Sequence, residues 1–162
     1  MYTAQDIIGS LARETQILKH LFTKVPADKL DRSPAEWMRT IKELLIYTTY
    51  MATEVPDMLE NGFYPERYAT IKEKQSQRDV ANEYEQMLDE QLQILTEYLT
   101  SHSEEHMNEE IELFGMKQPR KQAFMEIAIK NFPAYRMQLF QYLKAGLGMH
   151  DLKTSNLWMW QD

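Results

Sequence analysis

Apolar residues recur at three- and four-residue spacing along most of this chain, and no stretch alternates with the period of a half-buried strand. The first such segment runs from about Thr3 to Lys24, with Ile7, Leu11, Glu14, Leu18 and Leu21 on one face; the turn VPADKL, with Pro26, ends it. Ser33-Pro34-Ala35-Glu36 has the composition of a helix start: a serine to cap, a proline in the first turn and a glutamate three residues on. The helix it opens is expected to bury Trp37, Ile41, Leu44, Thr48 and Met51. PDMLENGFYPERY then breaks the pattern and predicts a connecting loop over one end of the domain. A longer helix is expected from roughly Ser76 to Ser101, with Val80, Tyr84, Met87, Leu88, Leu95 and Tyr98 on its apolar face. His102 to Pro119 reads as acidic and irregular, with one short piece around Ile111 to Phe114. The last helix is expected from near Pro119 to Lys144-Ala145-Gly146, where lysine and glycine are stop signals. Four long amphipathic helices predict an all-α chain forming one four-helix bundle over 1–148, with 149–162 as a tail packing on it.

Composition narrows the partners. Acidic residues outnumber basic ones by 25 to 18, a formal charge of -7, and the densest basic run, KQPRK, is short; a phosphate backbone would be repelled, so no nucleic-acid partner is expected. Cysteine is absent, which excludes disulfides, thiolate metal sites and cysteine nucleophiles. No run approaches the ~20 apolar residues of a membrane span, and MYTAQDIIGSLARETQ lacks the order of a signal peptide. A cytoplasmic protein without membrane contact is the expectation.

Polar residues on the apolar stripes are the candidates for chemistry. At ~100° per residue Glu14 falls near the centre of the first stripe, Gln91 is central on the third, and Asn131 and Gln138 are central on the fourth between Phe124, Ile127, Tyr135 and Tyr142. Tyr47 lies at the edge of the second stripe. Two readings follow: Glu14, Tyr47, Gln91, Asn131, Tyr135 and Gln138 converge on a polar pocket between helices, or they hydrogen-bond one another or open onto solvent, as buried polar groups must. Arg136 is the available partner for a buried Glu14 carboxylate. Pro133 removes one backbone hydrogen bond inside the last helix and predicts a bend.

The ordering of ARETQILKHLFTKVPADKLDRSPAEWMRTIKELLIYTTY, a long third helix and NFPAYRMQLFQYLKAG resembles the DinB/YfiT-like superfamily of metal-dependent four-helix bundles, over about Thr3 to Gly148. The resemblance implies a divalent metal held by three histidines, one late in an EL-x-x-H segment of the second helix and two in an H-x-x-x-H-R-x-Q segment of the fourth. The matching positions here are Tyr47 in ELLIY and Asn131 and Tyr135 in NFPAYRMQ, so all three ligands are replaced while Arg136 and Gln138 remain. Phenols and an amide are poor ligands for zinc or nickel, so no cofactor is expected at the family position. Thiol-transferase, isomerase or hydrolase activity, which the resemblance would otherwise imply through that metal, is put in doubt.

The reading that follows is a DinB-like protein with a degenerate metal site, binding a small molecule in a tyrosine-lined cavity or serving as a dimeric scaffold. The alternative is a DinB-like hydrolase or thiol transferase with a relocated site, or an enzyme using Glu14 as acid or base and Tyr47 or Tyr135 as proton donor. His102 and His106, in HSEEH, would share one face of a continuous helix and are the one alternative metal pair, though the segment reads as a solvated surface. His20 and His150 stand alone. The tail LWMW, Leu157 to Trp160, packs back on the bundle or marks a partner surface. The resemblance also implies a homodimer.

Overall fold

A computed structural model describes residues 2–159, and over these the chain is mostly helical with one small hairpin. Helix α1 (Ala4–Phe22) opens on a capping box in which Thr3 and Asp6 satisfy each other's backbone N–H groups. Its buried residues include Ile7, Leu11, Leu18 and Leu21, as the stripe requires. After a short 3₁₀ turn (Ala27–Lys29), helix α2 (Ile41–Thr48) is capped by Thr40, whose hydroxyl accepts from the Glu43 N–H while Glu43 reaches back to Thr40. The capping box expected at Ser33–Glu36 is therefore displaced by the one at Thr40–Glu43. Residues 34–38 form bends and turns, and Trp37, expected in the core, is 87% exposed.

Past α2 the backbone turns irregularly over 49–54 and re-enters a helix as α3 (Val55–Asn61), which ends at Gly62 in a positive-φ conformation. Helix α4 (Pro65–Ser76) follows, begun by a proline whose missing N–H costs nothing at a first turn. The expected connecting loop is thus largely two helices. The long α5 (Val80–Ser101) buries Val80, Tyr84, Met87, Leu88, Gln91, Leu95 and Tyr98.

Between α5 and the last helix lie α6 (Glu104–Asn108) and an antiparallel hairpin of β1 (Glu110–Leu113) and β2 (Met116–Pro119), where an irregular segment was expected. Phe114 (φ 53) and Gly115 (φ 76) both take left-handed backbone, the geometry of the two-residue turn that matches strand twist. Only four residues per strand leave too little alternation for the sequence pattern to register.

The final helical stretch comprises α7 (Arg120–Phe124), a π turn (Met125–Ile129), α8 (Lys130–Gln141) and a second π turn (Tyr142–Gly146). Pro133 sits inside α8 and has no N–H for the Ile129 carbonyl, at the end of the first widened turn. Helix α1 packs on α5 and α8, and α2 packs on the same two, so the core lies between these four elements. The short α9 (Ser155–Trp158) lies against α1 and α8 with Leu157 buried, while Trp158 and Met159 are exposed. Trp160 lies outside the described residues. Among them, no helix is long and apolar enough to cross a membrane.

Candidate functional site

The break between α2 and α3 organises the polar residues around it. In a regular helix the Ala52 N–H would bond the Thr48 carbonyl. Here the Gln91 amide is inserted between them: its Oε1 accepts from the Ala52 N–H at 2.9 Å and its Nε2 donates to the Thr48 carbonyl at 2.9 Å. The side chain copies a peptide group, which lets the helix open without orphaning either backbone group. Neighbouring residues tighten to three-residue bonds, such as Tyr50 N–H to the Tyr47 carbonyl and Thr53 N–H to the Tyr50 carbonyl. From the other side Asn131 donates to the Met51 carbonyl at 3.4 Å.

Opening the helix here spreads tyrosines over the face turned toward α4. Tyr47 meets Tyr135 edge to face with ring centroids 4.6 Å apart, Tyr50 at 5.3 Å, and Tyr50 in turn meets Tyr68 of α4 at 5.7 Å. The Arg39 guanidinium lies over the Tyr47 ring, 4.3 Å from its centroid. A cavity of ≈430 Å³ is bounded by Tyr47, Tyr50 and Tyr68 together with Arg39, Glu43 and Lys72. Glu43 already accepts from Thr40 in the α2 capping box, and neither Arg39 nor Lys72 forms an ion pair among the described residues. Two positive charges against the one negative charge of Glu43 leave the lining net positive.

Burial sets the protonation of these phenols. It pushes Tyr47 far above the ordinary tyrosine range, helped by hydrogen bonding with Tyr135, and it raises Tyr50. Tyr68 is pushed up to about 12, again chiefly by burial. At neutral pH all three are hydroxyl donors and none is a ready base or nucleophile.

The remaining residues of the expected pocket lie elsewhere. Glu14 pairs with Arg136 across α1 and α8, Oε2 to Nη1 at 3.1 Å, and Arg136 also lies over Trp158. Burial raises the Glu14 carboxyl against the pull of Arg136 and lowers the Arg136 guanidinium against the pull of Glu14. Tyr135 and Arg136 are adjacent in sequence and so point about 100° apart, one to α2 and one to α1. Gln138 donates to the Tyr142 hydroxyl at 3.2 Å, beside a separate groove containing Pro34 and Met38. Of the set read from the stripes, Tyr47, Tyr135, Asn131 and Gln91 gather around the α2–α3 break; Glu14, Arg136 and Gln138 do not.

Several residues of the site escaped the sequence. Tyr50, Tyr68, Arg39 and Lys72 depend on α4 folding back over α2, and α4 begins in a segment read as a loop. Glu54 was also missed: it is buried, both its carboxylate oxygens have no hydrogen-bond partner among the described residues, and burial raises its carboxyl. It borders a second groove of ≈320 Å³ with Thr53, Asp57 and Arg67. Its spacing of three from Met51 and seven from Tyr47 places it on the inner stripe, and that signal was available.

His102 and His106 sit on different elements rather than on one continuous helix. His102 is the C-terminal cap of α5, and Ser103 turns the chain into α6, which carries His106. Their rings nevertheless stack with centroids 4.5 Å apart, beside Glu60 from the end of α3. No family model matches this chain, and no curated protein matches it significantly.

Proposed function

We propose that this chain is a binding protein for a small organic anion, held in the tyrosine-lined cavity under α4, on a four-helix bundle of the DinB/YfiT-like type whose family metal positions are filled by Tyr47, Asn131 and Tyr135. The observation that carries the reading is the cavity itself: three neutral phenol donors and two uncommitted cations around ≈430 Å³. Arg39 and Lys72 supply partners for a carboxylate, and the tyrosine rings supply faces for a planar apolar body. The acid–base enzyme reading lacks its constellation. Glu14 is paired with Arg136 away from the cavity, and burial, which pushes Tyr47 far above the ordinary tyrosine range, makes that phenol a poor proton donor at neutral pH.

Isothermal titration with benzoate, 4-hydroxybenzoate and short dicarboxylates tests this reading. Binding in the micromolar range, weakened by Lys72→Ala and by Arg39→Ala, is expected. Binding that neither substitution alters would place the ligand somewhere else, and no binding by any member of the panel would remove the anion reading. The homodimer remains an expectation, for which light scattering at micromolar concentration is the direct measurement.

A further inference from the structure

Glu60, His102 and His106 come from three elements, α3, the end of α5 and α6, and each offers a ligand atom within 4.8 Å of the others. His102 is held through its Nδ1 and His106 through its Nε2. The Nδ1 of His102 lies 2.9 Å from the Tyr98 carbonyl, and a carbonyl only accepts, so Nδ1 carries the proton and Nε2 keeps its lone pair. The Nδ1 of His106 lies 3.5 Å from the Glu109 carboxylate, and its Nε2 lies 3.0 Å from Glu60 Oε1. With the His106 proton on Nε2 this contact is a hydrogen bond; a metal ion between the two atoms would take the place of that proton, with His106 protonated at Nδ1 instead.

We propose that Glu60, His102 and His106 form a divalent transition-metal site, with two imidazole nitrogens and one carboxylate as ligands and the remaining positions open to solvent. Metal–ligand bonds of about 2.0–2.1 Å around a tetrahedral ion put neighbouring ligand atoms roughly 3.3 Å apart, so the His106–Glu60 separation is already near the bound geometry. The ligand atom of His102 lies within 4.8 Å of the other two and must close in to join them. The surroundings repeat what orients metal-bound histidines generally: a carbonyl behind one ring, a carboxylate behind the other, and a donor, the Tyr98 hydroxyl, on the ligating carboxylate at 2.6 Å. Among the charges facing the group, Glu60 and Glu109 outweigh Arg120, whose Nε is 3.2 Å from Glu60 Oε1 and whose Nη1 bonds Glu109 at 2.8 Å. Lys121 is neutralised by Glu104. Nitrogen-rich donors favour zinc, cobalt, nickel or copper over magnesium and calcium, which prefer all-oxygen cages. The site rests on none of the residues of the tyrosine cavity.

Titration of tag-free protein with Zn²⁺ by calorimetry, and with Co²⁺ by visible absorption, tests the assignment, with circular dichroism confirming that each variant folds. One ion per chain is expected, with His102→Gln and His106→Gln each weakening Zn²⁺ at least about tenfold and altering the Co²⁺ spectrum, while Arg39→Ala leaves both unchanged. Absence of Zn²⁺ binding to the wild-type chain up to about 1 mM, or binding indifferent to both histidine substitutions, overturns the site whatever the fate of the anion reading. Mg²⁺ competing equally with Zn²⁺ overturns the ligand set as well.

Discussion

The two faces of the α2–α3 break are both polar, yet they are built for different ends. On the α5 side Gln91 commits both amide atoms to backbone groups that the broken helix would otherwise orphan, and neither is left without a partner. On the α4 side three neutral phenols that hydrogen-bond among themselves and with Tyr135 surround open space together with Glu43 and with Arg39 and Lys72, neither of which forms an ion pair among the described residues. A buried polar group whose bonding capacity is fully used belongs to the fold; polar groups ringed around a void with capacity to spare belong to recognition. The Glu14–Arg136 pair belongs with the fold on a different ground: each partner neutralises the other between α1 and α8, although Glu14 Oε2 and Arg136 Nε have no hydrogen-bond partner among the described residues.

Replacing Gln91 by Leu is the hardest test of that contrast. It leaves the Thr48 carbonyl and the Ala52 N–H buried without partners, and about 2–4 kcal/mol of stability is expected to be lost, seen as a fall in the urea midpoint. A variant of near-native stability would mean that α2 heals into a continuous helix, and the break would then be a choice of the side chain rather than a requirement of the fold. Glu14→Gln is expected to cost about 2–3 kcal/mol, because it strands the buried Arg136 guanidinium while Glu14 itself keeps some contact with water. Anion affinity should not move. Loss of binding with stability intact would transfer Glu14 from the structural to the recognising side.

Smaller effects fall on the cavity. Arg39→Ala is expected to weaken a bound carboxylate about tenfold, or ~1.4 kcal/mol, while stability stays within about 0.5 kcal/mol. The reverse pattern, a large stability loss and unchanged affinity, would make Arg39 a structural lid over Tyr47. The smallest expected signal is in alkaline pH. The Tyr68 hydroxyl is pushed up to about 12 from an ordinary value of 10.0, so the unfolded chain releases that proton first. Its contribution to stability is complete below pH 10 and declines as pH climbs toward 12. Anion binding should therefore be free of any tyrosine titration between pH 6 and 9; a midpoint within that range would mean that a phenol of the cavity ionises more readily than its burial implies.

Local signals recovered much of the helical framework but little of what lines the cavity. α1 and α5 were legible because each runs through five or more turns with an apolar stripe that single polar residues, Glu14 and Gln91, interrupt without ending. The start of α2 was misplaced because two stretches, Ser33–Glu36 and Thr40–Glu43, carry capping chemistry, and only packing shows that Trp37 stays in solvent while Ile41 is buried. α4 was read as a loop because its face is mostly polar: Tyr68 and Ile71 alone stand out among glutamates and lysines. With α4 went Tyr68 and Lys72, and so one side of the cavity wall. Gln91 was correctly placed on an inner face, but its partners, a carbonyl and an N–H four residues apart on another helix, leave no trace in side-chain pattern.

What the sequence determined by itself is the set of long amphipathic helices and the identity of the polar residues that had to be accommodated between them, because three-and-four spacing is a property of a single helix and needs no neighbour. What only the tertiary structure decided is which of those polar residues meet. Tyr47 finds Tyr135 and Tyr50, Glu14 finds Arg136, and Glu60 joins two histidines more than forty residues away, because rotation of one helix against another is set by core packing, to which the polar residues themselves contribute little.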